Sequence, residues 1–278
     1  MSPALKTRIA GLQMVSGPSV RANLAAAERL TAEAARQGAR LVVLPEFFPV
    51  FGAREKRLRA AAETYGDGPV QAWARDAARR RKLWLIAGSM PLRTNTGRHT
   101  NTTLVFTPEG DCATRYDKIH LFAFDNGKEH YDEAASIAAG NTPVVFDTPF
   151  ARVGLAICYD LRFPELFRAL GVVDLIALPA AFTDTTGRAH WEILLRARAI
   201  ENQCYLLAVG QGGRHANHRE THGNSMVIDP WGDILDRKGK GEGIVIADLD
   251  PQRLAESRHA LPALEHRVLR TADFPVSS

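Results

Sequence analysis

The chain is poor in cysteine, with three in 278 residues. Cys112, Cys158 and Cys204 cannot pair off evenly, and a chain this long does not depend on disulfide staples, so a secreted disulfide scaffold is excluded. Long apolar runs are also missing. The best candidates, residues 175–182 and 206–209, fall short of the roughly 18 residues that a membrane helix needs, and Pro179 interrupts the first. Behind Lys6 and Arg8 only residues 9–12 are apolar, too few for a secretory signal. Charge of one sign is scarce as well: 35 Lys+Arg against 31 Asp+Glu leave a net +4. That weak basic bias suits an anionic small substrate and does not call for nucleic acid. The run from Arg79 to Lys82 ends a predicted helix, where cations complement the dipole, and reads as a solvated face. No low-complexity tract and no linker rich in Gly, Ser or Pro divides the chain. The expectation is one domain over residues 1–278, cytoplasmic, with reduced thiols and no membrane contact.

What is present is an alternation of strands and helices with hairpins inserted. Residues 8–15, 41–44, 83–89, 102–106 and 112–117 read as strands, as do 174–178, 204–210, 224–228 and 243–248. Residues 19–37, 69–82, 164–170 and 188–202 read as helices, two of them opened by a proline in the first turn. A hairpin is expected from 143–146 and 152–158. Strand–helix alternation together with hairpins argues against a pure barrel of βα units and for a layered α/β domain with mixed sheets.

Three reactive side chains each end a separate predicted strand. Cys158 stands in Gly154-Leu-Ala-Ile-Cys-Tyr-Asp-Leu-Arg-Phe-Pro-Glu165, where an apolar strand stops and a helix soon starts. There a strand fixes the backbone and the loop opens the site. The N–H of Tyr159 is placed to face a developing oxyanion. A thiol nucleophile needs a base. One choice is His190, a protease-like solution; the other is Glu46, in Leu44-Pro-Glu-Phe-Phe48, whose apolar flanks would desolvate its carboxylate. Lys118 ends the strand at 112–117 and offers an ammonium to a tetrahedral intermediate. Cys112 and Cys204 have no such setting.

This ordered set of Glu, Lys and Cys resembles the signature of the nitrilase superfamily, the carbon–nitrogen hydrolases, over residues 8–267. The resemblance assigns catalysis to Glu46, Lys118 and Cys158. It places an accessory glutamate at Glu133, in Tyr131-Asp-Glu133, and does not make His190 the base. It implies a four-layer α-β-β-α sandwich of two mixed sheets and a homodimer formed through a helical face. It implies no cofactor and no metal, so His215, His218 and His222 are read without one. The segments Pro179-Ala-Ala-Phe182, 186–205 and 222–232 resemble the branch that holds deaminated-glutathione amidase and omega-amidase. Arg188 departs from that branch, which has proline there. The implied reaction is hydrolysis of a small carboxylate-bearing amide through a cysteine thioester. The candidate substrate contacts are Arg162, Phe182 and Arg188, with Arg162 alternatively paired to Asp160 or Glu165. The rival readings are a nitrilase, a Cys–His peptidase and a non-enzymatic binding module.

Overall fold

A computed structural model describes residues 5–53 and 55–268. The ends of the expected domain, residues 1–4 and 269–278, lie outside them, as does residue 54. The first half of the chain runs β1 (Thr7–Gln13), α1 (Val20–Arg36), β2 (Leu41–Val43), α2 (Glu55–Ala60) and α3 (Pro69–Arg81). Then follow β3 (Trp84–Ile86), β4 (Met90–Arg93), β5 (His99–Phe106), β6 (Cys112–Asp117), β7 (Ala123–Asp125) and β8 (His130–Asp132). The second half runs β9 (Val145–Asp147), β10 (Arg152–Leu155), α4 (Pro164–Ala169), β11 (Leu175–Ala180) and α5 (Asp184–Asn202). It closes with β12 (Tyr205–Gly210), β13 (Ser225–Ile228), β14 (Ile234–Lys238), β15 (Gly243–Leu249) and α6 (Pro251–Ala260).

Two mixed sheets form. One has the order β15-β1-β2-β3-β5-β4, with β6 on β5; the other has the order β14-β13-β12-β11-β10-β9. Alternation along β1 decides how they stack. Ile9 points into the core shared with the second sheet, whereas Ala10 and Leu12 point into the core shared with Ala27, Leu30 and Ala34 of α1 and with Ala74 and Ala77 of α3. Gly11 lies on the inter-sheet side, where a Cβ would come within 2.6 Å of Val209 Cγ2, so only glycine permits this approach of the sheets. On the far side, Phe167 of α4 and Trp191, Leu195 and Ala199 of α5 cover the second sheet. The layers are therefore helix, sheet, sheet, helix, the α-β-β-α sandwich that the resemblance implies.

The element boundaries follow local chemistry. Helix α1 starts where the Ser19 side chain accepts from the Ala22 N–H, and α3 opens on Pro69 and stops at Lys82 in the left-handed conformation. The cationic end of α3 is occupied by ion pairs: Arg79 with Asp76, and Arg80 and Arg81 with Glu28. Helix α5 departs from expectation. It begins at Asp184, not at 188, because Thr183 caps it by accepting from the Thr186 N–H. Gly187, which suggests a loop in the sequence, is a packing glycine instead. A Cβ there would lie 2.4 Å from His222 Cγ.

Candidate active site

The site is assembled from chain segments that leave strand ends. After β2, Leu44 and Pro45 carry the chain to Glu46, whose buried carboxylate meets three donors. Its Oε1 accepts from Asn101 Nδ2 at 2.8 Å and from Lys118 Nζ at 2.9 Å, and its Oε2 accepts from the Ala181 N–H at 2.7 Å. Behind it, Gly88 touches the Pro45 carbonyl so closely that an added Cβ would lie 2.1 Å from that oxygen. Lys118 follows β6 and is wholly buried. Its ammonium donates to Glu46 and, at 2.8 Å, to Glu133 Oε2, which also accepts from the Phe122 N–H at 2.8 Å. Ammonium has three N–H donors, so one remains for substrate. Burial acts to pull the Lys118 pKa down, but the Glu133 and Glu46 carboxylates outweigh it and hold the group protonated, above its ordinary value.

Cys158 begins a tight turn, Cys158–Arg162, directly after β10, with φ +48°, a left-handed conformation that points the thiol away from the strand it follows. Burial and then the nearby Glu46 charge push the thiol well above its ordinary pKa, opposed by Lys118 and by the Ala181 N–H. Cys158 thus rests as a neutral thiol beside Glu46. Glu46, Glu133, Cys158, Tyr159 and Phe182 line one cavity. Phe47, Phe51, Phe122, Glu133 and Arg219 are shared with an adjoining, more open outer groove.

Asp160 locks the lysine and cysteine segments together. Its Oδ2 accepts from Tyr116 Oη at 2.7 Å and the Ile157 N–H at 2.8 Å. Its Oδ1 accepts from the His120 N–H at 3.0 Å and from His120 Nδ1 at 2.8 Å. Tyr116 and His120 flank Lys118, and Ile157 precedes Cys158, so one buried carboxylate sets the position of both. Asp160→Ala orphans these donors. We expect it to destabilise the fold by about 3–5 kcal/mol in urea unfolding, with Asp160→Asn recovering part of the loss. A change below about 1 kcal/mol in the alanine variant would contradict this role.

Over residues 8–259 the chain matches the family model "Carbon-nitrogen hydrolase". The chain belongs to the carbon–nitrogen hydrolase family. Among relatives of this hydrolase, the deaminated glutathione amidase of Synechocystis sp. is 41% identical over 266 residues, covering 93% of this chain and 97% of the relative. The omega-amidase of Mus musculus is 37% identical over 263 residues, covering 94% of each. Among solved structures, a mutant amidase from Nesterenkonia sp. AN1 shows the result of Michael addition of acrylamide at the active-site cysteine. It superposes with a TM-score of 0.77 at 28% identity, covering 92% of this chain and 98% of that one.

The hydrolase brings Glu46, Lys118, Glu133 and Cys158 together, with Tyr159 and Phe182 on the cavity wall. Two expected substrate contacts need correction. Arg162 stays off the cavity: its guanidinium lies over the rings of Phe182 and Tyr159, 5.3 and 5.8 Å from their centroids, and donates to His190 Nδ1 at 3.2 Å. The oxygens of Asp160 are already filled, so that alternative partner is closed to it. Arg188 sits in the first turns of α5, not on a pocket loop. It is 72% exposed and held by Asp184 at 2.7 Å, one helical turn earlier. His190, exposed on α5 and facing Arg162, is no partner for the thiol.

The local motifs miss three contributors. Asn101 lies in β5, whose residues are all buried; an amide inside so buried a strand is the signal that marks it. The Ala181 N–H carries no side-chain signal at all. Arg219 stands in the loop after β12, beside His215, His218 and His222. His215 is bound to Ser16 O and Thr221, and His222 to Asp184. Among the described residues no group of three or more His, Cys, Asp or Glu is arranged to hold a metal.

Proposed function

We propose that this hydrolase is an amidase that opens the carbon–nitrogen bond of a small carboxylate-bearing amide through a Cys158 thioester, and that its substrate is deaminated glutathione. One observation carries the reading: Glu46, Glu133 and the Cys158 thiol line one cavity, and the protonated Lys118 is buried behind it, bonded to both carboxylates. Glu46 takes the thiol proton as sulfur attacks the amide carbon. The third N–H of Lys118 and the Tyr159 N–H hold the oxyanion. As the carbon–nitrogen bond breaks, Glu46 returns that proton to the leaving nitrogen. Glu46 then takes a proton from water, whose oxygen attacks the thioester, and protonates the departing sulfur, releasing the acid. Glu133 keeps Lys118 charged and in place.

The two adjoining spaces favour a substrate with a sizeable leaving group. The acyl portion would lie beside Cys158 in the inner cavity, and the outer groove that shares Phe47, Phe51, Phe122, Glu133 and Arg219 with it would take the departing amine. That favours deaminated glutathione over 2-oxoglutaramate, whose leaving group is ammonia. The 37% identity to an omega-amidase supports the second compound as the alternative. The test compares kcat/KM on both, scoring amine and ammonia release, with a nitrile alongside. We expect deaminated glutathione to be the better substrate. A preference for 2-oxoglutaramate makes the chain an omega-amidase, and turnover of the nitrile alone makes it a nitrilase.

The same reading takes residues 1–278 as one hydrolase domain working in the cytoplasm as a homodimer. The three cysteines are free thiols, Cys112 exposed among them, which suits a reducing compartment. Among the described residues no helix is long and apolar enough to cross a membrane. Ile193 and Ile200 on α5 are 70% and 46% exposed, and Trp231 is 51% exposed. An apolar helical face of this kind supports a second copy docking there.

A further inference from the structure

A carboxylate-bearing substrate needs a cation, and neither Arg162 nor Arg188 lines the cavity. Arg219 does. It borders both the inner cavity and the outer groove, and no other arginine or lysine is among the described residues lining either space. Its guanidinium lies over two rings, 4.5 Å from the Tyr131 centroid and 5.2 Å from that of Phe51. The loop that carries it is itself braced, the His215 N–H donating to the Arg219 carbonyl at 2.9 Å and the His215 ring held by Ser16 and Thr221.

No ion pair among the described residues answers the charge of Arg219. Among the described residues no carboxylate lies within ion-pair distance of it; Glu133, in the same cavity, is already taken by Lys118 and the Phe122 N–H. Its Nε is buried and without a hydrogen-bond partner, and Nη2 donates only weakly, at 3.4 Å, to the Ala181 carbonyl. A half-buried guanidinium with an unused, buried donor offers an anion both charge and a hydrogen bond. The position of that anion is also set. The N–H of Ala181 reaches Glu46 and acts on the Cys158 thiol, while the carbonyl of the same residue takes Arg219. Ala181 therefore stands between the guanidinium and the thiol, and all three border one cavity. A carboxylate at the far end of a short acyl chain held at Cys158 would face Arg219.

We propose that Arg219 is the specificity-determining residue of this hydrolase, pairing its guanidinium with the carboxylate of an acyl chain whose other end is the scissile amide. The chemical class is the monoamide of a short dicarboxylic acid. The assignment rests on the amidase reading, and its test separates the two. Wild type, Arg219→Gln and Arg219→Lys are assayed on glutaramate, an anionic monoamide, and on valeramide, a neutral amide of equal chain length. The ratio of kcat/KM for glutaramate over valeramide should fall by on the order of 10²-fold in Arg219→Gln, as expected when a buried carboxylate loses its partner. Arg219→Lys, which keeps the charge but not the fork, should recover part of the ratio. An unchanged ratio, both amides suffering equally, would overturn the proposal. A second measurement needs no turnover: glutarate should shield Cys158 from iodoacetamide in the wild type and fail to do so in Arg219→Gln. Equal shielding in both proteins overturns the role of Arg219 even if no amide is hydrolysed. Shielding that depends on Arg219 without amide turnover would overturn the amidase reading instead.

Discussion

Replacing Cys158 by alanine should abolish amide hydrolysis and leave the fold in place. The expected loss is about 10⁴-fold or more, the usual consequence of deleting a covalent nucleophile, because no other group in the cavity can form the acyl intermediate. Cys112 is exposed at the start of β6, the end away from Lys118, and Cys204 is buried elsewhere, its thiol pushed up to about 12 by burial. The fold should survive because the change removes one sulfur from a turn held by Asp160, not by Cys158. Alanine meets the same left-handed backbone at φ +48° that cysteine already occupies. Amine release and thermal unfolding, measured on one preparation, check both halves. Residual hydrolysis within about tenfold of wild type would remove Cys158 from the mechanism, and a collapsed fold would show that the thiol is structural.

Glu46→Gln should reduce turnover by a comparable amount. Loss of one general base is worth about 10²–10⁴-fold, and Glu46 is used in both acylation and deacylation. The three partners of its carboxylate are all donors: Asn101 Nδ2, Lys118 Nζ and the Ala181 N–H. A glutamine must turn its own NH₂ towards one of them, so the variant loses a hydrogen bond as well as a charge. The pH dependence of Cys158 alkylation separates these effects. Burial and then the Glu46 charge hold the thiol above its ordinary value. Removing the charge takes away the second cause, so the midpoint for iodoacetamide labelling should move to lower pH while hydrolysis collapses. A midpoint that moves up, or hydrolysis near wild-type rate, would contradict the assignment of Glu46 as the base beside the thiol.

The catalytic candidates were legible because each is carried by a short local pattern. Glu46, Lys118 and Cys158 follow apolar or alternating strands, and a side chain just past a strand end is oriented by backbone that the sequence itself specifies. Their supporting contacts were not legible. The bond from Ala181 to Glu46 spans 135 positions, and that from Tyr116 to Asp160 spans 44. No period or motif encodes such separations. The two misjudged arginines show the same limit from the other side. Arg162 is only four residues from Cys158, yet the tight turn at Cys158–Arg162 carries it over the rings of Tyr159 and Phe182. Arg188 opens the helix expected over residues 188–202, yet α5 begins at Asp184, so Arg188 lies one turn inside it and pairs with that aspartate.

By itself the sequence determined the alternation of elements, the buried faces of the helices and strands, the ordered Glu-Lys-Cys set and the lack of an apolar run long enough for a membrane helix. These depend on neighbours within one or two turns, where propensity, capping and periodicity act directly. Only the tertiary structure decided how the two sheets stack through Gly11, which carboxylate faces the thiol, and that one buried aspartate ties the lysine to the cysteine. It also decided which arginine borders the cavity. Each of those outcomes depends on side chains brought together from distant strands, where burial removes water and leaves a charge to be answered by whatever donor or acceptor the packing places beside it.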